Sequence, residues 1–248
     1  MNIREEGLRQ MQRRLSAFTR TELLVVVLVL VILILLVVPA FVKAKAKARR
    51  IQCVSFLKQI GLAHRVFAND HTNSAGNGLY TMTLTTNRGG TLEYAGKGMA
   101  YMHYLNMSNE LGSAKVLACW SDRERVARPD FLTLANSNVS YFVGLDADEL
   151  RPNLLLAGDR HLTNDRPVIG RVMTITSGQT VRWANSVHGG AGNIALADGS
   201  VQQCTSEAVT RQVSGVVEPT GWFTSPPDGK QTEPTPFVVS LTNRLEFP

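Results

Sequence analysis

Few stretches of this 248-residue chain set reactive side chains close together. Gly158-Asp159-Arg160-His161 is the most suggestive in composition, with a carboxylate, a guanidinium and an imidazole in a row. His103, Ser186 and the Ser177-Gly178 pair add a base and hydroxyl nucleophiles. None of these stands in a nucleophile-elbow, zinc-binding or phosphate-loop spacing. Because 158–161 follows the apolar run 154–157, it reads more simply as the polar end of a strand, and no catalytic residue is assigned. Asp146-Ala147-Asp148-Glu149 is the densest acidic cluster. Ca²⁺ wants about six or more oxygens, so a solvated turn is the preferred reading and a calcium loop the alternative. Ala197-Asp198-Gly199-Ser200 has the chemistry of a hairpin turn, since Asp tolerates left-handed backbone angles and Gly supplies them freely. His188, ten positions earlier, is expected either to hydrogen-bond across that hairpin or to act as one ligand of a cation. One His and one Asp fall short of a metal site, so no metal is assigned.

Glu22 is a different kind of anomaly. Residues 23–38 are all Leu, Ile or Val, and no charge follows Glu22 until Lys43. At about 1.5 Å of rise per residue, an uncharged run over 23–42 covers the roughly 30 Å of a bilayer's hydrocarbon core. Sixteen such side chains, at roughly −0.3 to −0.6 kcal/mol each, outweigh one acid at about +2.5 to +3.5 kcal/mol. The helix therefore inserts despite Glu22, which also benefits from the positive end of the helix dipole. A plain anchor has no use for such a carboxylate, and intramembrane acids are usually functional.

Charge distribution excludes another class of function. The net charge is +6, which invites a nucleic-acid partner. Residues 1–50, however, hold ten Lys/Arg against three acids, and residues 51–248 hold sixteen against seventeen. The basicity flanks the apolar run, the rest is about neutral, and no nucleic-acid partner is expected.

The elements that must position these residues follow from periodicity. Pro39 interrupts one backbone bond, which membrane helices tolerate, and the strong helix formers of 43–50 carry the helix onward. Cys53, Phe56, Leu57, Ile60, Ala63 and Phe67 then recur at steps of three and four, a stripe suited to packing on a sheet. His64 falls beside that stripe as a packing residue, and 69–73 ends the helix. Short β-like runs come next, at 80–85, 90–94, 115–118, 139–144, 154–157, 168–174 and 194–197, with 100–106 as a short helix or loop. Five prolines in 218–236 mark a flexible connection, and 237–248 ends the chain as a strand or tail. The expected fold class is α+β, a long N-terminal helix packed on an antiparallel β-sheet.

These features resemble the type IV pilin and type II secretion pseudopilin superfamily. Its members carry a short basic leader, a small residue, then Phe-Thr-x-x-Glu opening a hydrophobic helix. Here Ala17 would end the leader and Phe18 begin the mature chain, making Glu22 the fifth mature residue and Pro39 the twenty-second. Ala17 stands where the family prefers Gly, and Arg20-Thr21 replaces its usual apolar pair. IQCVSFLKQIGLA, ACWSDRE, NVSYFVGL and HGGAGNIALADGSVQ also resemble a bacterial prepilin-like subgroup marked by His, nine residues, then Asp-Gly. His188 and Asp198-Gly199 have that spacing, and Cys119-Trp120-Ser121-Asp122 stands where the subgroup has Cys-Pro-Ser-Asp.

The resemblance implies a pilin-like division: a leader over 1–17, a membrane and assembly helix over 18–42, an amphipathic half over 43–75 and a β-rich domain over 76–217. A prepilin peptidase would cut between Ala17 and Phe18 and methylate the new Phe18 amine. The partners implied are that enzyme, an assembly ATPase with its platform protein, the bacterial inner membrane, and other pilin-like subunits. Glu22 would meet the Phe18 amine of a neighbour, with Pro39 in the shared helix. A secretion pseudopilin is preferred to a true pilus subunit, since the domain lacks an adhesive feature. With the leader cytoplasmic, Cys53, Cys119 and Cys204 all face an oxidising space. The motifs then favour a Cys53–Cys119 bridge with Cys204 left over, and three reduced thiols as the alternative. Two other readings are a cleaved secretory signal and a single-pass anchor carrying a hydrolase or binding domain.

Overall fold

A computed structural model describes residues 19–164, 171–176, 179–184, 187–215 and 243–248. The chain divides into two compact units, Met1–Ala48 and Arg49–Pro248. Helix α1, Arg20–Asp70, contributes to both and runs through Pro39 without a break. In the first unit every residue from Leu23 to Val42 is exposed. This apolar helix is one candidate membrane span. Ala17, Phe18 and the leader lie outside the described residues, as does the Pro-rich segment 218–236.

The second unit is a mixed α+β fold. Helices α2 (Ala100–Asn106), α3 (Ser108–Leu111) and α4 (Ser206–Gly215) join eight strands. These are β1 (Tyr141–Gly144), β2 (Leu155–Asp159), β3 (Leu162–Asn164), β4 (Val172–Ile175), β5 (Val181–Trp183), β6 (Ala191–Leu196), β7 (Val201–Thr205) and β8 (Asn243–Glu246). Six strands form an antiparallel sheet in the order β4-β8-β1-β2-β6-β7, and β3 pairs with β5 in a second, small sheet.

Side chains alternate across the large sheet and sort into two cores. Tyr141, Val143, Leu156, Ala195 and Ala197 face the α1 stripe of Cys53, Leu57, Ile60, Ala63 and Phe67. Phe142, Leu155, Ile194 and Leu196 face the opposite way, onto Val209 and Val213 of α4 and Trp183 of β5. A central strand covered on both faces reads as continuously apolar, which is why β1 and β2 carry little alternation in sequence. The α1 stripe is wider than its spacing indicates, because Gly61, His64 and Ala68 are buried with it.

Three expected strands are not strands. Residues 80–85, 90–94 and 115–118 contain the 3₁₀ turns Thr81–Thr83, Leu92–Tyr94 and Ala114–Leu117. Their apolar residues are held by core packing and local bonds, such as Thr91 N–H to the Thr81 carbonyl at 2.7 Å, rather than by a ladder. A short buried apolar run does not distinguish these cases by periodicity. The 168–174 run appears as β4, shifted toward the C-terminus, with 165–170 outside the described residues. The reading 100–106 is the helix α2, and β8 lies within 237–248, although 237–241 falls outside the description. Strands β3, β5 and β7 and helix α4 were not anticipated.

The hairpin at 197–200 is present. Leu196 N–H donates to the Ser200 carbonyl at 2.9 Å, and Gly199 takes a φ of +83°, where a Cβ would strain the turn. Below it, α1 supplies Arg65, whose Nη1 donates to the Asp198 carbonyl at 2.6 Å. The acidic cluster 146–149 is neither free nor merely solvated. Arg244 clasps Asp146, with Nη2 to Oδ1 at 2.7 Å, Arg151 lies 3.6 Å from Asp148, and Glu149 accepts from Gly78 N–H at 2.9 Å. Those carboxylates tie distant segments together, which leaves little of the oxygen-rich shell a calcium loop requires.

Candidate functional site

The motifs that stand far apart in sequence converge at one end of the sheet. β2 ends on Asp159, which is 3% exposed. Its Oδ2 accepts from Asn193 N–H at 2.8 Å and from Asn193 Nδ2 at 2.9 Å on neighbouring β6. His188, just before β6, puts Nε2 3.4 Å from Asp159 Oδ2, 3.5 Å from Asn193 Nδ2 and 3.6 Å from Cys119 Sγ. Cys119 is joined to Cys53 of α1 by a disulfide, with their Cα atoms 5.4 Å apart, and Cys204 is a buried thiol. Four separate segments thus meet around one imidazole.

Burial sets the charge state of this group. It pushes the Asp159 carboxyl up to about 7, against the pull of the Asn193 hydrogen bonds. Burial first, and then the Arg50 charge, hold the His188 imidazole down to about 4. Between these values both groups are neutral, so the contact is not an ion pair there.

A second polar cluster lies alongside. Asp122, three residues after Cys119, receives both arms of Arg160, Nε at 2.7 Å and Nη2 at 3.1 Å. Arg160 Nη2 also bonds Glu124. Burial alone would raise the Asp122 carboxyl; the hydrogen bonds and charge of Arg160 overcome it and hold it below the ordinary value. His161 is held below its usual value by burial and by the same guanidinium. The composition of 158–161 is therefore spent on internal structure.

Other residues singled out by sequence lie elsewhere. Asp198 and Gly199 sit at the opposite end of β6 from His188, roughly 20 Å away at about 3.3 Å per strand residue. His188 therefore does not bond across the hairpin, because the whole strand separates them. His103 is buried with Nδ1 2.6 Å from Thr91 Oγ1 and Nε2 3.3 Å from Glu246 Oε2, as part of the fit of β8. Ser177, Gly178 and Ser186 lie outside the described residues. A shallow cavity of about 760 Å³ lies between β5 and α4. Its hydroxyls, Ser206 and Thr210, are already bonded to Trp183 N–H at 3.0 Å and Val181 N–H at 3.1 Å.

No family model matches the chain, and no curated protein or solved structure does either.

At the head of α1 the structure shows a role for Glu22 that sequence reasoning missed. Thr19 precedes the first helical residue, and its Oγ1 accepts from Glu22 N–H at 3.3 Å. Glu22 Oε2 reaches back to accept from Thr19 N–H at 2.9 Å. This reciprocal pair is a capping box, and its signature, Thr-x-x-Glu before an apolar run, stands openly in the sequence. Asn193 was missed as well; no local signal marks it, since its importance comes from lying beside β2.

Proposed function

We propose that this protein is a structural subunit of a pilin-like filament, of the type II secretion pseudopilin kind, rather than an enzyme. The observation that carries the reading is α1 itself. Leu23 to Val42 are exposed along their whole length, so this surface needs lipid or copies of itself. The subunit waits in the inner membrane as a single-pass protein with its leader in the cytoplasm. Prepilin peptidase cuts before Phe18 and methylates the amine. The platform protein and its ATPase then draw the subunit into a bundle where the apolar helices pack together. There Glu22 lies beside a neighbour's Phe18 amine, since a carboxylate in a dry bundle is costly unless paired.

The capping box favours a second reading, a single-pass anchor for the globular unit, because it gives Glu22 a purpose within one chain. Two variants separate the readings. Glu22→Gln keeps the cap, which takes an amide as readily as a carboxylate, and removes the charge. Glu22→Val removes both. If the pair with the neighbouring amine operates, both variants insert and are cut before Phe18, and both lose filament assembly in sheared-appendage preparations. Normal filament yield from the Gln variant would leave the anchor reading standing.

A further inference from the structure

The contacts of His188 are unusual for a buried imidazole. Its Nε2 faces three polar neighbours at 3.4, 3.5 and 3.6 Å, all longer than a good hydrogen bond. Asp159 Oδ1 is buried and has no partner among the described residues. Two donors of a buried cluster thus point inward without being satisfied, which native interiors rarely allow.

Their spacing fits a different arrangement. Around a tetrahedral zinc, with Zn–S about 2.3 Å and Zn–N and Zn–O about 2.0 Å, sulfur and nitrogen ligands stand about 3.6 Å apart and nitrogen and oxygen about 3.3 Å apart. His188 Nε2 lies 3.6 Å from Cys119 Sγ and 3.4 Å from Asp159 Oδ2. The ligand atoms of Cys53, Cys119 and His188 are all within 4.8 Å of one another. Only the bond between the two sulfurs departs from a tetrahedral edge, which for two thiolates is about 3.8 Å.

We propose that Cys53, Cys119, His188 and Asp159 form the ligand set of a thiophilic divalent cation, zinc foremost, which the site takes up when the Cys53–Cys119 disulfide is reduced. Two thiolates and a carboxylate around a doubly charged ion leave one net negative charge. Arg50, whose charge acts on both His188 and Asp159, balances it. Soft sulfur with one imidazole selects zinc-like ions over calcium or magnesium. The cation would tie together the same segments of α1, β2 and the loops holding Cys119 and His188 that the disulfide and its contacts join. The site thus has an oxidised closure and a metal closure.

The chemistry balances with a phosphine as reductant. The phosphine and one water yield two thiols and a phosphine oxide; the cation then displaces both thiol protons to the buffer. The test uses the full chain in detergent micelles, reduced with a water-soluble phosphine under argon and titrated with Co²⁺ as probe. The expected result is one equivalent bound, with sulfur-to-cobalt charge transfer and the strong visible bands of a tetrahedral ion, both erased by Zn²⁺. The unreduced protein should show neither. Cys119→Ser should abolish the charge transfer, and His188→Ala and Asp159→Asn should each weaken binding at least tenfold. His188→Ala retains both cysteines, so its circular dichroism controls for folding. A reduced, folded chain that binds no cobalt, or binds it equally well without His188, overturns the proposal.

Discussion

His64 offers the sharpest quantitative test of how the globular unit is held together. It lies on α1 fully buried, with both ring nitrogens lacking partners among the described residues. Its ring stands edge-on to Tyr80 at 5.6 Å and to Tyr104 at 6.4 Å between centroids. Burial, with a smaller contribution from His103, lowers its pKa from 6.5 to about 3. The sign follows directly. A depressed folded-state pKa means the unfolded chain binds the proton first, so stability is present above 6.5 and drains away as the pH falls toward 3. At pH 5 the gap of 1.5 units below the unfolded value amounts to about 2 kcal/mol at 1.36 kcal/mol per unit. His188 drains in the same direction and Asp159 in the opposite one, its raised pKa making stability decline as pH rises toward 7. Comparing a variant with wild type cancels both. His64→Leu, close to His in volume, should match or exceed wild type at pH 7 and exceed it by about 2 kcal/mol more at pH 5. Guanidinium unfolding of the full chain in micelles, followed by tryptophan fluorescence, measures both. A difference that stays constant between the two pH values would refute the reasoning.

Other perturbations probe the polar clusters. Arg160→Leu leaves Asp122 buried without its partner and should cost about 3–5 kcal/mol of stability in the same unfolding assay. Cys53→Ser opens a loop with a sequence separation of 66 residues. In the chain-entropy picture that loss is about 4 kcal/mol, to be read from denaturation with and without reductant, where the variant should lose its response to reductant. Gly144→Ala should be severely destabilising, since a Cβ there would meet the Leu155 carbonyl oxygen at 1.7 Å, and soluble yield with denaturation midpoint will register it.

The long helix was legible because a 3.6-residue period sustained over 53–67 has no competing explanation. The strands β1, β2 and β6 were legible as apolar runs closed by polar turns. The runs around Tyr80, Leu92 and Val116 carry the same residue types, and only the absence of a neighbouring edge makes them turns. β7 was hidden by Gln202 and Gln203, which are exposed and polar. α4 had a signal in Val209 and Val213, one turn apart, although Ser, Thr and Gly around them obscured it. At the site each residue type was visible alone. The meeting of Cys119, Asp159 and His188 was not, since it depends on which strands lie side by side. Glu22 shows the converse: its capping partner was three residues away, overshadowed by the cost of a carboxylate near lipid.

The position of β8 has a consequence for biogenesis. This final strand pairs with β1 on one side and β4 on the other, and it is the sole ladder partner of β4. Glu246 is wholly enclosed and accepts from Gly96 N–H at 2.9 Å. A ribosome delivers these residues last, so the domain cannot close while any part of the message remains unread. A polypeptide terminated a few codons early would keep its anchor yet present two raw sheet margins and a vacant acid-binding niche. Completeness of translation is thereby written into the fold, and prematurely stopped products would be marked for proteolysis by their own shape.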